Sequence, residues 1–321
     1  MTDSSDALRV RSSDPAARPD NSGAGLTPHA ALDRIEIVVN PHSGGVGPKA
    51  AGECERLLEQ LGVRANIVEA EPPRVEAAIE SAIAALPDVL VILAGDGTAR
   101  SAAAMAGPDG ALLVPLPGGT MNLLPRALYG TGDWKAALER ALREGIPRSV
   151  AGGEVDGRPF YVAAMLGSPA LWAPAREAIR TGKVWLAYQY ARRATRRAFS
   201  RRLRFRVDEA SFRRAEALAV LSPLISKAMD EPSGLEAAVL DINNAGEAFR
   251  LGALTLFANW RDDPTVETMV ARRIRVWGQR PIPAILDGEP AELPREVEIR
   301  FLQRAFRTLA PPRRITPPGP G

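Results

Sequence analysis

Asp88-Val89-Leu90-Val91-Ile92-Leu93-Ala94-Gly95-Asp96-Gly97-Thr98 is an apolar run that stops at two glycines and gives way to an alanine-rich segment. It reads as a strand, a tight turn and a helix. Gly95 and Gly97 carry no Cβ, so the backbone turns sharply there and comes close to a ligand. Thr98 then opens a helix, whose unpaired N–H groups and positive dipole end favour an anion. Asp96, fixed between the two glycines, is placed to hold Mg2+ or to steer a proton beside a polyphosphate. Taken alone, a Gly-Asp-Gly is an ordinary strand-to-helix turn.

Two further turns of the same kind flank it. Upstream, Ile35-Glu36-Ile37-Val38-Val39 runs into Asn40-Pro41-His42-Ser43-Gly44-Gly45, and downstream Leu112-Leu113-Val114-Pro115 leads to Pro117-Gly118-Gly119-Thr120-Met121-Asn122. Helix-period apolar positions lie between the strands: Ala50, Cys54, Leu57, Leu58 and Leu61 in 48–61, and Val75, Ala78, Ile79, Ala82, Ile83 and Leu86 in 74–86. A further strand is expected at Val63–Glu69, and a helix from Asp133 to Glu144 closed by Gly145. Strands alternating with helices imply a parallel, doubly wound sheet covered on both faces. Three glycine turns at the carboxyl ends of its strands converge where open α/β sheets bind ligands.

Beyond Pro147 the period changes. Asp156-Gly157 sits between two strand-like runs as a hairpin signal. Short apolar segments at 202–207, 217–221, 235–241, 274–276, 284–286 and 297–301 predict a mostly antiparallel, sandwich-like second domain. The expected organisation is therefore a tail at 1–32, an α/β domain at 33–147, a β-rich domain at 148–310 and a second tail at 311–321.

The three turns in this order, followed by Leu286-Asp287-Gly288-Glu289, resemble the diacylglycerol kinase catalytic domain family. Sphingosine and ceramide kinases belong to that family, and NAD kinases are more distant relatives. The resemblance implies a nucleotide held in the cleft between two domains and a lipid acceptor entering from the second. It implies a lipid kinase that moves the γ-phosphate of ATP, with Mg2+, onto the hydroxyl of a diacylglycerol or a sphingoid- or ceramide-like lipid. Asn40, Ser43, Gly44, Gly45, Gly95, Gly97 and Thr98 would line the phosphates, and Gly118, Gly119, Thr120 and Asn122 would close over the nucleotide. Asp96 would be the acid nearest the metal. Glu289 matches the family's late glutamate, read as the base for the lipid hydroxyl, whereas in the sphingosine kinase branch the acid of the Gly-Asp-Gly turn has that role. Asp96 and Glu289 thus compete for it. Arg180 and Lys183 would lie on the acceptor side.

The chain departs from the family at identifiable places. Ala94 replaces a glycine, Ala99-Arg100-Ser101 stands where many members have Leu-Asn-Glu, and Leu123 occupies the position of a diacylglycerol kinase aspartate. The turn that carries a structural metal in some bacterial members appears only as Met229-Asp230-Glu231-Pro232-Ser233-Gly234-Leu235. A catalytically weakened nucleotide- or lipid-binding protein and a soluble NAD kinase-like enzyme are the alternatives.

Composition narrows the classes. The 321 residues are 45% apolar and 25% charged, as in globular proteins, and suffice for two cores. With one cysteine, Cys54, no intramolecular disulfide forms, and a helix-face position makes that thiol core rather than catalytic. His42 reads as a variable motif position and His29 as part of the tail. No apolar run approaches the ~20 residues of a membrane span. The net charge of +3 is small but uneven: eight arginines and no acid lie between Ala191 and Arg206. Arg192, Arg193, Arg196 and Arg197 pair at i, i+4 beside Trp185, Tyr188 and Phe199, a stripe suited to an anionic membrane or to a solvated face. The expected partners are a lipid acceptor and an anionic membrane surface met through Lys183–Arg206, with no nucleic acid; a homodimer is compatible with this reading. The expected location is the cytoplasm, peripherally on the membrane.

Overall fold

A computed structural model describes residues 33–167, 203–226, 233–240 and 266–312, with Ala170 and Trp185. The stripe's Arg192, Arg193, Arg196 and Arg197, as well as Arg180, Lys183, His29 and Met229–Pro232, lie outside the described residues.

The first half alternates as its apolar periods require: β1 (Ile35–Val39), α1 (Ala50–Leu61), β2 (Asn66–Glu69), α2 (Val75–Ala84), β3 (Val89–Ala94), α3 (Asp96–Ala106), β4 (Leu112–Pro117), α4 (Leu123–Tyr129) and α5 (Trp134–Glu144). Every residue of β3 is buried. Each branched side chain so placed contributes about 1.5–3 kcal/mol to the core. Helix α1 ends on Gly62, whose φ of 68° is the left-handed cap only glycine adopts freely. Helix α5 begins at Asp133, whose carboxylate accepts the N–H of Lys135 at 2.8 Å. Strand β2 starts three residues later than the run from Val63 implies, because the Val63 N–H still closes the end of α1 on the Leu58 carbonyl at 3.0 Å. Helix α3 starts at Asp96 rather than Thr98, with Gly95 as its cap.

Strands β1 to β4 are parallel and ordered β2-β1-β3-β4. From β1 the chain winds one way to β2 and then crosses back to β3 and β4. The carboxyl ends of β1 and β3 therefore flank the switch point at which such sheets bind ligands.

The remaining strands are β5 (Ile146–Val155), β6 (Arg158–Phe160), β7 (Ala163–Gly167), β8 (Leu203–Val207), β9 (Arg213–Ala215), β10 (Ala217–Leu221), β11 (Leu235–Leu240), β12 (Val266–Ala271), β13 (Arg273–Trp277), β14 (Ile282–Leu286), β15 (Glu289–Leu293) and β16 (Glu296–Ala310). β5 and β6 form the expected hairpin, with Asp156 and Gly157 both at positive φ (52° and 70°). An antiparallel sheet runs β12-β11-β10-β7-β14-β15. It packs against the antiparallel half of the first sheet across a core that includes Phe160, Phe205, Leu218, Ile274, Leu286 and Ile299.

The two halves share a strand. β16 pairs antiparallel with β13 through Arg273–Arg300 and with β5 along most of its length, then joins β4 in parallel at Thr308–Leu113. A register shift between Leu302 and Phe306 bends it from one set of partners to the next. The Thr308 hydroxyl donates to the Leu113 carbonyl at 2.7 Å in the buried interior. The last strand thus completes the sheet begun by the first. Among the described residues no helix is long and apolar enough to cross a membrane.

Candidate active site

The three glycine turns meet. At the end of β1, the Asn40 N–H donates to the Leu93 carbonyl at 2.9 Å, and its buried side chain accepts the His42 N–H at 3.0 Å. The Ser43 hydroxyl accepts the Gly95 N–H at 3.1 Å, and the Gly45 N–H donates to the Gly118 carbonyl at 3.0 Å. A Cβ on Gly118 would stand 2.6 Å from the Ala94 carbonyl oxygen, and one on Gly119 3.0 Å from the Gly95 Cα. Real Cβ atoms do not come as close as 2.6 Å, so Gly118 is required for turn-on-turn packing, and Gly119 could gain a side chain only if its neighbours gave way. The sequence reading assigned both glycines only to ligand approach. A Cβ on Gly44 would stand 4.0 Å from the Thr120 hydroxyl, Thr98 lies in the first turn of α3, and Thr120 is exposed between β4 and α4.

Asp96 joins the second turn to the third. Its Oδ2 accepts the Asn122 N–H at 2.7 Å and its Oδ1 the Leu123 N–H at 2.8 Å, where a helix start leaves donors unpaired and favours negative charge. Asn122 adopts left-handed backbone, φ 52°, and its side chain accepts the Gly119 N–H at 2.7 Å while donating to the Gly119 carbonyl at 3.0 Å. Burial pushes the Asp96 carboxyl above the usual carboxylate range, the two N–H bonds oppose this, and the nearby Glu289 charge adds to the rise.

The second sheet delivers Glu289. Between β14 and β15, Asp287 and Gly288 turn at φ 49° and 91°, the positive pair of a tight hairpin. The Asp287 side chain is buried and accepts three backbone N–H groups, from Tyr161 at 2.7 Å, Val162 at 2.8 Å and Ala163 at 2.9 Å. Burial raises its carboxyl and those three bonds work against it. This anchor fixes the hairpin tip, and sequence reasoning gave Asp287 no such role; an Asp-Gly between strands signals the turn but not the carboxylate's partners. A Cβ on Gly288 would stand 3.0 Å from the Met121 sulfur and 3.4 Å from a Leu123 methyl, so the tip sits against the third turn.

Glu289 Oε2 accepts Arg100 Nη2 at 2.5 Å, and Arg100 Nη1 donates to the Leu286 carbonyl at 3.0 Å. A Cβ on Gly97 would collide with the Glu289 carboxylate. Gly97 therefore makes room for Glu289 beside Asp96, and the two candidate acids, distant in sequence, face one junction. Gly97→Ala is expected to keep or slightly raise the melting temperature, since alanine favours a helix by about 1 kcal/mol. Displacing the flexible Glu289 should lower turnover at least tenfold. Turnover at the wild-type level would show that the position of Glu289 does not matter.

The His42 ring makes an exposed contact to Glu71 at 3.3 Å. Cys54 is buried, and its thiol is pushed up to about 11 by that burial. Among the described residues no three His, Cys, Asp or Glu side chains form a metal cage. Each Asp96 oxygen accepts one backbone N–H and keeps a lone pair. This donor set suits a divalent ion that brings most of its ligands with it, as Mg2+ does on phosphates.

A parallel sheet with glycine turns at its switch point, facing a hairpin from an antiparallel sheet, defines a two-layered ligand-binding fold with an acid contributed from each side. Residues 34–155 match the model of the diacylglycerol kinase catalytic domain, so the family likeness carried by the turns holds. A diacylglycerol kinase from Bacillus anthracis str. Sterne is similar in structure with a TM-score of 0.64 at 14% identity, covering 88% of this chain and 98% of that one. A candidate diacylglycerol kinase from the same strain gives a TM-score of 0.67 at 17% identity, over 88% and 99%. At these identities the likeness is one of fold. No curated protein matches the chain.

Proposed function

We propose that the protein is an ATP-dependent lipid kinase. The observation that carries this reading is the convergence of the three glycine turns at the switch point, with Asp96 on one side of Gly97 and Glu289 on the other. Phosphoryl transfer asks for backbone donors to the phosphates, a divalent cation and a group that receives the acceptor's proton. The N–H groups opening α3, together with Asn40, Ser43, Gly44 and Gly45, supply the first, and Gly118 to Asn122 close the other side. Asp96 would hold Mg2+, which neutralises phosphate charge.

For the base, the hydrogen bonds favour Glu289. Both Asp96 oxygens already hold α4, whereas Glu289 Oε1 has no hydrogen-bond partner among the described residues and the side chain is 46% exposed. The acceptor is a hydroxylated lipid of the diacylglycerol or sphingoid class. The test is transfer of radiolabelled γ-phosphate from ATP to a total lipid extract, with identification of the product, and a parallel reaction with NAD as acceptor; no labelled lipid would overturn the reading, and labelled NADP in the parallel reaction would favour the soluble alternative.

A lipid acceptor must be drawn from a bilayer, and the arginine-rich segment Lys183–Arg206 is proposed to bring the protein there. Replacing Arg192, Arg193, Arg196 and Arg197 by glutamine removes about 1 kcal/mol each of attraction to an anionic surface before salt screening. Binding to phosphatidylserine vesicles at low salt should fall by orders of magnitude, while turnover on a short-chain soluble acceptor persists. Unchanged co-sedimentation would make the stripe a solvated face.

A further inference from the structure

We infer that Arg100 is a positioning residue for Glu289: it ties the β14–β15 hairpin to α3 and so sets the direction of the carboxylate that receives the acceptor's proton. The inference rests on the kinase reading above.

Arg100 lies on α3, one turn beyond Asp96, at one of the positions where the chain departs from its family. Its guanidinium makes two directed bonds to one hairpin, to the Leu286 carbonyl at 3.0 Å and to Glu289 Oε2 at 2.5 Å. The planar fork presents both donors at once, which an ammonium cannot do in a fixed geometry. Its side chain is 24% exposed, so this pair is screened less than one on the open surface. On the far side of the same carboxylate stands Gly97, whose missing Cβ leaves the space that Oε1 occupies. Asp287 holds the hairpin's tip to Tyr161, Val162 and Ala163 at the start of β7, but those bonds do not reach the Glu289 side chain. Arg100 does so, and by occupying Oε2 it leaves Oε1 as the oxygen for the substrate. Arg100 thus acts through Glu289.

The test is a double-mutant cycle on the full chain, with Arg100→Ala, Arg100→Lys, Glu289→Gln and the Ala/Gln pair. Arg100→Ala should lower kcat ten- to a hundredfold with the KM for ATP within twofold. Lysine should restore part of that loss. The double variant should be no slower than Glu289→Gln alone, because two residues that act as a unit do not add. Additive losses, an undiminished kcat, or a KM for ATP raised tenfold would each overturn the inference, the last by making Arg100 a nucleotide ligand. Amide hydrogen exchange provides a readout independent of turnover. The hairpin from Leu286 to Leu293 should exchange about tenfold faster in Arg100→Ala, and unchanged protection would overturn the inference whatever the activity. Failure of the kinase reading is recognised separately, as a wild-type protein that labels no lipid.

Discussion

Asp96→Asn is expected to abolish phosphoryl transfer and also to lower the melting temperature. The substitution keeps the shape of the side chain but turns one of its two acceptor oxygens into a donor. That amide then faces the N–H of Asn122 or of Leu123, both of which the carboxylate now satisfies. A donor left unpaired at a part-buried helix start costs about 1–3 kcal/mol, which for a protein of this size is a melting shift of several degrees. Activity is lost for a second reason, because the charge that would hold the cation is gone. Scanning calorimetry and the lipid-labelling assay separate the two effects. Wild-type turnover would remove Asp96 from the chemistry, and an unchanged melting temperature would remove it from the support of the third turn.

Glu289→Gln should lower turnover by about 100- to 10,000-fold, the usual consequence of losing a general base, with ATP affinity within twofold. The fold should be unaffected, since glutamine keeps an oxygen that can accept from Arg100 and the backbone position is set by Asp287. Single-turnover kinetics with saturating ATP measure the loss directly. If turnover is unchanged while Asp96 variants are inactive, the base is Asp96 or a water, as in the sphingosine kinase pattern.

These two acids illustrate what the sequence makes legible. The parallel half was readable because β3 and β4 are continuous apolar runs that stop at Gly95 and Gly118, and its helices keep a 3.6-residue period. The hairpins at Asp156-Gly157 and Asp287-Gly288 were readable because the left-handed turn restricts residue choice. Partners that meet only through tertiary pairing were not. The segment 297–301 reads as one short strand, yet belongs to a strand of fifteen residues; the polar and charged Gln303 and Arg304 that follow hide its length. Arg100 reads as a departure from a motif, and its meaning appears only when Glu289, 189 positions away, arrives beside it. Asp287 reads as a turn former, because three N–H donors more than 120 residues upstream leave no local trace.

The strand shared by the two halves constrains how the protein is made. A ribosome releases the glycine turns early, yet β4 has no neighbour on its outer side until Glu296–Ala310 has been synthesised and threaded between it and β13. For most of translation the nascent sheet therefore exposes an apolar edge strand, Leu112–Pro117, of the kind that recruits other chains. Closure of the sheet beside the third glycine turn is consequently a late event, coupled to arrival of β16, and a nascent chain stalled before it would present that open edge to chaperones.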